Sequence, residues 1–483
     1  MHNYGSSIFP GEFFGTFFAV ARDEMNLISL TLNKTVQEKS LSSRRRAEEW
    51  LNFVFISMIC LGSITTIGFS LDLKLFLLWR GFLVSTNLLK ISMYFLIFSS
   101  FILLSGLIFR TFLWFRYKPL TLDMGPDVEW PMVSVIMPAL NEEDSIISSI
   151  DSIFASQYPE EKLEVITIND GSTDSTPQKM VQLKMKYKGK LHVIHFPENR
   201  GKREALYRGI KNAAGEIIIT VDTDSQIDPL ALRNIVLPLI KENDCGAVAG
   251  RVEVLNNKET FLTRMLSIRY SLSFNFGRAY QSVYGAVLCC PGALTAYRKK
   301  AVLKFLDEWK SQNFLNTQCT YGEDRALTTL ILKSGYTTRL QSNAVVFTTV
   351  PSRFKKMVRM YLRWNRSCVR ETILFARFML SKYRKHNRVF PVIDFFFLNI
   401  MYPFHLLSFS IVSYSVMVHP LLLLRYVTIV ITASFFLSLY YLRSRKSLVF
   451  LYGIPYGILT AFCLWWIFPF AALTLRSTSW MTR

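Results

Sequence analysis

The sequence predicts an α/β domain with a mostly parallel sheet, inserted between α-helical membrane-spanning segments. Three observations carry this. Of the 483 residues, 51% are hydrophobic and only 19% charged, whereas ordinary soluble chains are about a quarter charged. Five long apolar stretches flank one segment of different texture, 119–350, rich in charge. Within that segment short apolar runs alternate with helical patterns, the spacing of a parallel sheet with crossover helices.

Residues 1–48 read as a cytoplasmic amino-terminal segment. The stretches 51–71 and 91–109 predict two membrane helices within 49–118, each near the roughly 17 to 25 residues needed to cross a hydrocarbon core. No secretory signal is expected, because the first long apolar run follows a polar stretch, so that run reads as an anchor. Arg44, Arg45 and Arg46 precede it, and Arg110, Arg116 and Lys118 follow the second run. By the positive-inside rule the amino terminus and the 119–350 domain are cytoplasmic, in a protein integral to a plasma or inner membrane.

Inside the domain, strands are predicted at 133–137, 163–168, 191–195, 216–221 and 247–249. Helices are predicted at 143–155, 175–187, 202–213 and 228–241. Residues 351–388 then alternate basic and apolar positions at helical spacing. Phe354, Met357, Tyr361, Trp364 and Cys368 fall on one face, beside Arg353, Lys355, Lys356, Arg359, Arg363, Arg366 and Arg370. That pattern predicts amphipathic helices lying in a membrane interface.

The stretches 395–418, 426–442 and 447–475 predict membrane segments within 389–475, ahead of a tail at 476–483. Arg443, Arg445 and Lys446 put the end of the fourth span inside. Gly453, Pro455, Gly457 and Pro469 interrupt the last stretch. It reads either as a simple span or as a broken, re-entrant or hairpin segment returning to the cytoplasm, since irregular backbone is tolerated at membrane depth where protein buries it.

The 56 Lys+Arg against 35 Asp+Glu give a formal charge of +21, which calls for anionic partners. Because the basic residues gather at membrane flanks and in the interfacial segment, nucleic acid is excluded and lipid headgroups are expected. The 7 cysteines form no CxxC ladder, so neither a disulfide scaffold nor a zinc site is expected.

Chemistry is expected where parallel strands end in loops. The first predicted strand runs into Pro138-Ala139-Leu140-Asn141-Glu142-Glu143, the second into Asn169-Asp170-Gly171-Ser172-Thr173-Asp174, and the fourth into Asp222-Thr223-Asp224. A single such acidic loop is equally well a helix cap; three at one sheet edge point to a site. Two carboxylates two residues apart on a strand terminus can share a hard cation, Mg²⁺ or Mn²⁺, that also contacts a diphosphate.

These loops belong to an ordered series that continues with Asn199-Arg200-Gly201-Lys202-Arg203, Tyr284 to Gly292, Gly322-Glu323-Asp324-Arg325 and Arg363-Trp364. On that series residues 133–364 resemble the inverting family-2 glycosyltransferases. Within them they are most similar to hyaluronan synthases and nodulation-type chitooligosaccharide synthases. The resemblance implies a glycosyltransferase A-type, Rossmann-like domain and a processive membrane synthase. Such an enzyme uses UDP-GlcNAc, with UDP-GlcA in the hyaluronan branch, extends a polysaccharide acceptor, and secretes it. It further implies that Ala139, Glu142 and Asp170 hold the uridine, with Asn141 in the same loop. Lys202 would approach the phosphates, Asp222 face the nucleotide, and Asp224 be the more direct metal ligand. Asp324 would be the general base, the one carboxylate that inversion requires. Thr223, Gly292, Glu323, Arg325, Arg363 and Trp364 join the substrate-binding set.

Two departures stand out. Met360 occupies the position of the glutamine in the family's Gln-x-x-Arg-Trp motif. The chain ends Ser479-Trp480-Met481-Thr482-Arg483, similar to a Trp-Gly-Thr-Arg element of hyaluronan synthases in which Trp480 and Arg483 would reach back to the site. Arg363-Trp364 and this terminus favour the hyaluronan branch over two alternatives, a chitooligosaccharide synthase using UDP-GlcNAc only and a non-processive membrane glycosyltransferase acting on a lipid acceptor. Cys289 and Cys290 read equally as acceptor-pocket residues and as apolar packing.

Overall fold

In a computed structural model, the chain divides into two compact units, Met1–Leu61 and Gly62–Arg483. Described are residues 87–121, 129–384, 388–418, 420 and 422–478, with scattered positions between 50 and 62. The first predicted span, the amino-terminal segment, Trp480 and Arg483 therefore lie wholly or largely outside the described residues. All the elements below belong to the second unit.

Ten strands form: β1 (Val133–Ala139), β2 (Leu163–Asp170), β3 (Leu191–Phe196), β4 (Ile217–Thr220), β5 (Ser225–Ile227), β6 (Cys245–Val254), β7 (Thr295–Arg298), β8 (Asn313–Phe314), β9 (Thr317–Gln318) and β10 (Thr337–Thr348). Eight make one sheet in the order β3-β2-β1-β4-β7-β6-β10-β5, and β8 and β9 form a separate two-stranded ladder. Pairings β1–β2, β2–β3, β1–β4 and β6–β10 are parallel, and β7 runs antiparallel between β4 and β6. Every residue of β2 and β4 is buried. Continuous Ile- and Val-rich runs suit strands covered on both faces, and Ile136, Ile166, Ile168, Ile218 and Ile219 form the middle of the core.

Helices Ile146–Phe154, Thr176–Lys186, Lys202–Asn212 and Ala231–Lys241 follow β1, β2, β3 and β5, matching the four helical patterns of the sequence. The register pairs Ala139 with Asn169, Asn169 with His195, and Ile136 with Thr220. The loops after these strands consequently leave along one edge. Antiparallel pairing then sets Thr295 opposite Thr220, which brings Gly292, three residues before Thr295, back to that edge.

Helix Asn87–Arg116 runs through and beyond the second predicted span. The third predicted span is two helices, Val389–Asn399 and Met401–Val418. In the helix Leu422–Arg445, the part Tyr426–Arg445 is long and apolar enough to cross a membrane. The last apolar stretch is broken: Leu448–Cys463 and Ile467–Leu473 meet at 47°. Between the domain and these helices lies Phe354–Phe378.

That helix corrects one expectation. Arg366 and Arg370 are not lipid-facing but buried, each about 4% exposed. Arg366 donates to Thr474 Oγ1 and Ser477 Oγ, both at 3.0 Å. Arg370 donates to Glu371 Oε1 at 2.9 Å and to the Tyr321 carbonyl at 2.8 Å. Their charge is used inside the protein. Met360, at the departed glutamine position, packs with Met357, Leu464 and Ile467, where a thioether fills space that an amide would fill only at a desolvation cost.

Candidate active site

The loop after β1 is fastened to the loop after β2. Asn141 takes a left-handed conformation, φ 54°, which Asn tolerates better than most residues. Its amide donates to Ser172 Oγ at 3.0 Å, and its side-chain carbonyl accepts from the Thr173 amide at 2.9 Å. The Glu142 amide donates to Thr176 Oγ1 at 2.8 Å, and a Glu142 carboxylate oxygen accepts from Ser145 Oγ at 2.9 Å. Ala139 is buried at the end of β1.

Asp170, at the end of β2, is 3% exposed. It accepts from the backbone amides of Arg200 and Gly201 at 2.7 and 3.0 Å, which draws the segment ahead of Lys202 against the strand ends. A carboxylate has about four acceptor sites, so it can take several N–H donors at once. Gly171 makes the approach possible: its φ is +74°, and a Cβ there would stand 2.4 Å from the Glu198 carbonyl carbon.

Lys202 opens the Lys202–Asn212 helix and reaches two carboxylates, Asp222 Oδ1 at 2.6 Å and Glu323 Oε1 at 3.1 Å. Burial works against its charged form, but Asp222 and Glu323 outweigh this and hold its pKa above the ordinary lysine value. Glu323 is itself buried; Lys202 overcomes the cost of that burial and keeps it ionised. Gly292 fits into the same cluster, where a Cβ would lie 3.1 Å from Lys202 Nζ and 3.2 Å from Asp222 Oδ1.

Asp324 stands in the first turn of helix Glu323–Lys333. Its Oδ2 accepts from the Gly292 amide at 3.3 Å and its Oδ1 from the Arg325 amide at 2.7 Å. Burial and then the neighbouring Glu323 push its pKa above the usual carboxylate range, the direction that suits a proton acceptor working near neutrality. Gly322 precedes it with φ +72°, pressed so closely on Phe354–Phe378 that a Cβ would meet Ser367 Cβ at 2.4 Å.

Asp222 and Asp224 flank the buried Thr223, whose hydroxyl donates to the Pro138 carbonyl at 3.3 Å. Asp224 accepts from Ser225 Oγ at 3.2 Å and Thr348 Oγ1 at 3.4 Å. Its pKa is raised by burial and then by Asp222. Among the described residues no group of three or more His, Cys, Asp or Glu side chains is placed to hold a metal. Oxygen donors on Asp222 and Asp224, the latter with a charge that burial and Asp222 oppose, do fit a hard divalent cation that takes its remaining ligands from a diphosphate and water.

A cavity of about 910 Å³ joins part of this set, and Ala139, Asn141, Glu142, Asp170 and Thr223 are not among its lining residues. Lys202, Asp222, Asp224, Gly292, Asp324 and Arg325 line it together. Arg363 and Trp364 also line it, as do Phe395, Tyr402, Tyr456 and Phe468 of the carboxyl-terminal helices. Trp364 is 36% exposed and lies 6.0 Å, centroid to centroid, from Tyr270. Cys289 lines the cavity, whereas Cys290 is wholly buried in the core. Sequence reasoning missed the wall formed by a π-helix, Leu272–Arg278; such irregular turns recur at functional sites but carry no periodicity to find them by.

Comparison with known proteins gives the following. The model of the family described as glycosyl transferase family 2 matches residues 134–306. The chain is 35% identical over 247 residues to an N-acetylglucosaminyltransferase of Mesorhizobium japonicum, a match covering 51% of this chain but only 58% of that relative. It is 31% identical over 356 residues to an N-acetylglucosaminyltransferase of Azorhizobium caulinodans, covering 73% of this chain and 87% of that one. Among solved structures, the mannosyltransferase PcManGT from Pyrobaculum calidifontis, in complex with GDP-Man and Mn²⁺, is similar at a TM-score of 0.51. It is 21% identical, with 77% of this chain and 98% of that one covered; at this identity the likeness shows the fold alone.

Proposed function

The chain belongs to glycosyl transferase family 2, and from that premise we propose that it transfers N-acetylglucosamine from UDP-GlcNAc, with inversion, to a growing chitooligosaccharide. The observation that carries this reading is the single cavity joining Asp324, Asp222 and Lys202 to the apolar helices. In it a donor, an acceptor and a product chain can lie in line.

Asp324 takes the proton of the acceptor hydroxyl as that oxygen attacks the sugar carbon opposite the departing diphosphate, the same logic by which glycosidases activate water. Lys202 faces the phosphates as a point charge, and Gly292 lets the donor approach because it carries no side chain. Asp170 and the Asn141-Glu142 loop hold the base, and Arg363 and Trp364 border the acceptor. Asp224 and Asp222 would hold a divalent cation, Mg²⁺ or Mn²⁺, which when bound offsets negative charge on the leaving diphosphate.

The rhizobial relatives are named N-acetylglucosaminyltransferases. That supports a single-sugar product over the alternating hyaluronan that Arg363-Trp364 and the terminal Trp480 to Arg483 favour. Membrane placement belongs to the same proposal, with the domain on the cytoplasmic side and lipid around the helices. Tyr426–Arg445 meets the length and composition of a span, and the bent Leu448–Leu473 pair suits a re-entrant segment. Beyond that pair the Thr478 carbonyl accepts from Thr320 Oγ1, and the Ser477 carbonyl from the Tyr321 hydroxyl, both at 2.8 Å. The chain thereby comes back to the domain immediately before Gly322.

The test is the full chain in liposomes with Mn²⁺ or Mg²⁺, UDP-GlcNAc, and UDP-GlcA present or absent. Chitinase-sensitive oligomers formed without UDP-GlcA are expected. Product that needs both donors and resists chitinase would replace this reading with a hyaluronan-type synthase. A single sugar added to lipid would replace it with a non-processive transferase.

A further inference from the structure

The cavity continues past the base. Helix Glu323–Lys333 lines it with Asp324, Arg325, Thr329 and Leu332, and at 1.5 Å per residue Leu332 stands about 12 Å beyond Asp324. Leu332 shares an apolar cluster with Leu113 and Phe375. Leu113 lies one turn past Arg110 on its helix, and Phe375 one turn past Glu371 on another. Arg110 and Glu371 line this part of the cavity, and the transfer chemistry uses neither.

Each is held by one end and lacks a hydrogen-bond partner at the other. Arg110 Nε donates to Asp394 Oδ1 at 2.8 Å, and Asp394 Oδ2 accepts from the Tyr284 hydroxyl at 2.8 Å. Arg110 Nη2 is buried without a hydrogen-bond partner. Glu371, 2% exposed, accepts at Oε1 from Arg370 Nε at 2.9 Å and Gln312 Nε2 at 3.1 Å, while its buried Oε2 has no partner. A buried donor and a buried acceptor left open are costly, and both border one cavity. Arg110 is matched by Asp394 and Glu371 by Arg370, so this pair adds hydrogen bonding to the wall without adding net charge, beside the cationic Arg325. Phe276, Tyr280, Phe395 and Tyr402 complete it with aromatic surface.

We infer that Arg110 and Glu371 form a product-side subsite for an amide-bearing glycan. Arg110 Nη2 donates to an acetamido carbonyl, and Glu371 Oε2 accepts from a sugar hydroxyl or N–H, of the chain that has moved past Asp324. The inference rests on the N-acetylglucosamine reading above and deepens it, by naming where an acetamido group of the moved chain is held.

The test measures binding of the N-acetylglucosamine pentamer, of cellopentaose (which lacks acetamido groups) and of UDP to the full chain in detergent. Arg110→Lys keeps a cation against Asp394 but loses the planar fork; Glu371→Gln keeps an oxygen for Arg370. Each is expected to weaken pentamer binding roughly ten- to a hundredfold, the size of one charge-assisted hydrogen bond, with UDP affinity unchanged and shorter products. Arg110→Lys should also narrow the preference for the pentamer over cellopentaose. Wild-type pentamer affinity in both variants, with GlcNAc transfer intact, overturns the subsite alone. Equal losses of pentamer and UDP binding also overturn it, by marking a structural role. A wild-type protein that transfers no GlcNAc overturns the functional reading and the subsite with it.

Discussion

The Lys202 ammonium lies 2.6 Å from Asp222 Oδ1, tying the start of a helix to the end of β4 at the point where a diphosphate would sit. Lys202→Met leaves Asp222 and Glu323 facing each other without their shared cation. We expect kcat/KM for UDP-GlcNAc to fall about a hundredfold or more, with Lys202→Arg recovering part of it. A loss under tenfold would remove the ammonium from the donor site.

As the proposed base, Asp324 would work only when ionised, and burial with Glu323 raises its pKa. Transfer should therefore be lost as pH falls through that raised value, with the acid limb above the ordinary aspartate value of about 3.9. The stability effect has the opposite sign. A carboxyl whose folded pKa exceeds its unfolded one destabilises the fold when ionised, and that cost fades as pH falls through the folded value. Asp324→Asn should abolish transfer, keep UDP binding, and leave the melting temperature at pH 7 unchanged or higher. A collapse of UDP affinity would refute the base assignment.

Asp224 carries a negative charge that burial and Asp222 oppose. Asp224→Asn should raise or preserve the melting temperature without metal and remove the extra stabilisation that Mn²⁺ and UDP together give. An unchanged metal titration by thermal shift would place the cation elsewhere.

The parallel half of the fold was legible because β1, β2 and β4 are mostly apolar runs ending in acidic loops, and both features are local. The antiparallel β7 was not: Thr295-Ala296-Tyr297-Arg298 has no distinctive pattern, and its place between β4 and β6 is a tertiary fact. β10 mixes Arg339, Gln341 and Asn343 among apolar residues for the same reason. Motif order located Lys202, Asp222 and Asp324, yet only the β7 register explains why Gly292 meets them. Arg110 read as a cytoplasmic flank and Arg366 as an interfacial cation, because a basic residue in sequence does not reveal that Asp394 or the Thr474–Ser477 turn lies against it.

Gly322 tests whether the base depends on its backbone. A side chain there must adopt φ +72° and enter space 2.4 Å from Ser367 Cβ. The left-handed conformation alone costs about 1 to 2 kcal/mol, and the clash pushes Glu323–Lys333 away from Phe354–Phe378. Gly322→Ala should lower the melting temperature and reduce kcat far more than it raises KM for the donor. Ser367→Gly in the same chain should restore part of both, by making room.

Arg366 fastens the end of the bent segment, through Thr474 and Ser477, to the helix that carries Arg363 and Trp364. Ser477 and Thr478 in turn accept hydrogen bonds from Tyr321 and Thr320, immediately before Gly322. The carboxyl-terminal stretch is thus a strap tied to the helix by one buried guanidinium and to the turn before Gly322 by two hydroxyls. Arg366→Met keeps much of the stem's packing but removes both hydrogen bonds, each worth about 1.5 to 3 kcal/mol to a charged group. The backbone amides of 474–478 should then exchange hydrogen at least tenfold faster, while those of β1 and β2 stay protected. Elongation should slow and products shorten, with UDP affinity unchanged because Asp170 and Lys202 lie on other elements. Unchanged exchange at 474–478 would show that the strap is held by something other than Arg366. Faster exchange with normal product length would show that it does not guide the glycan.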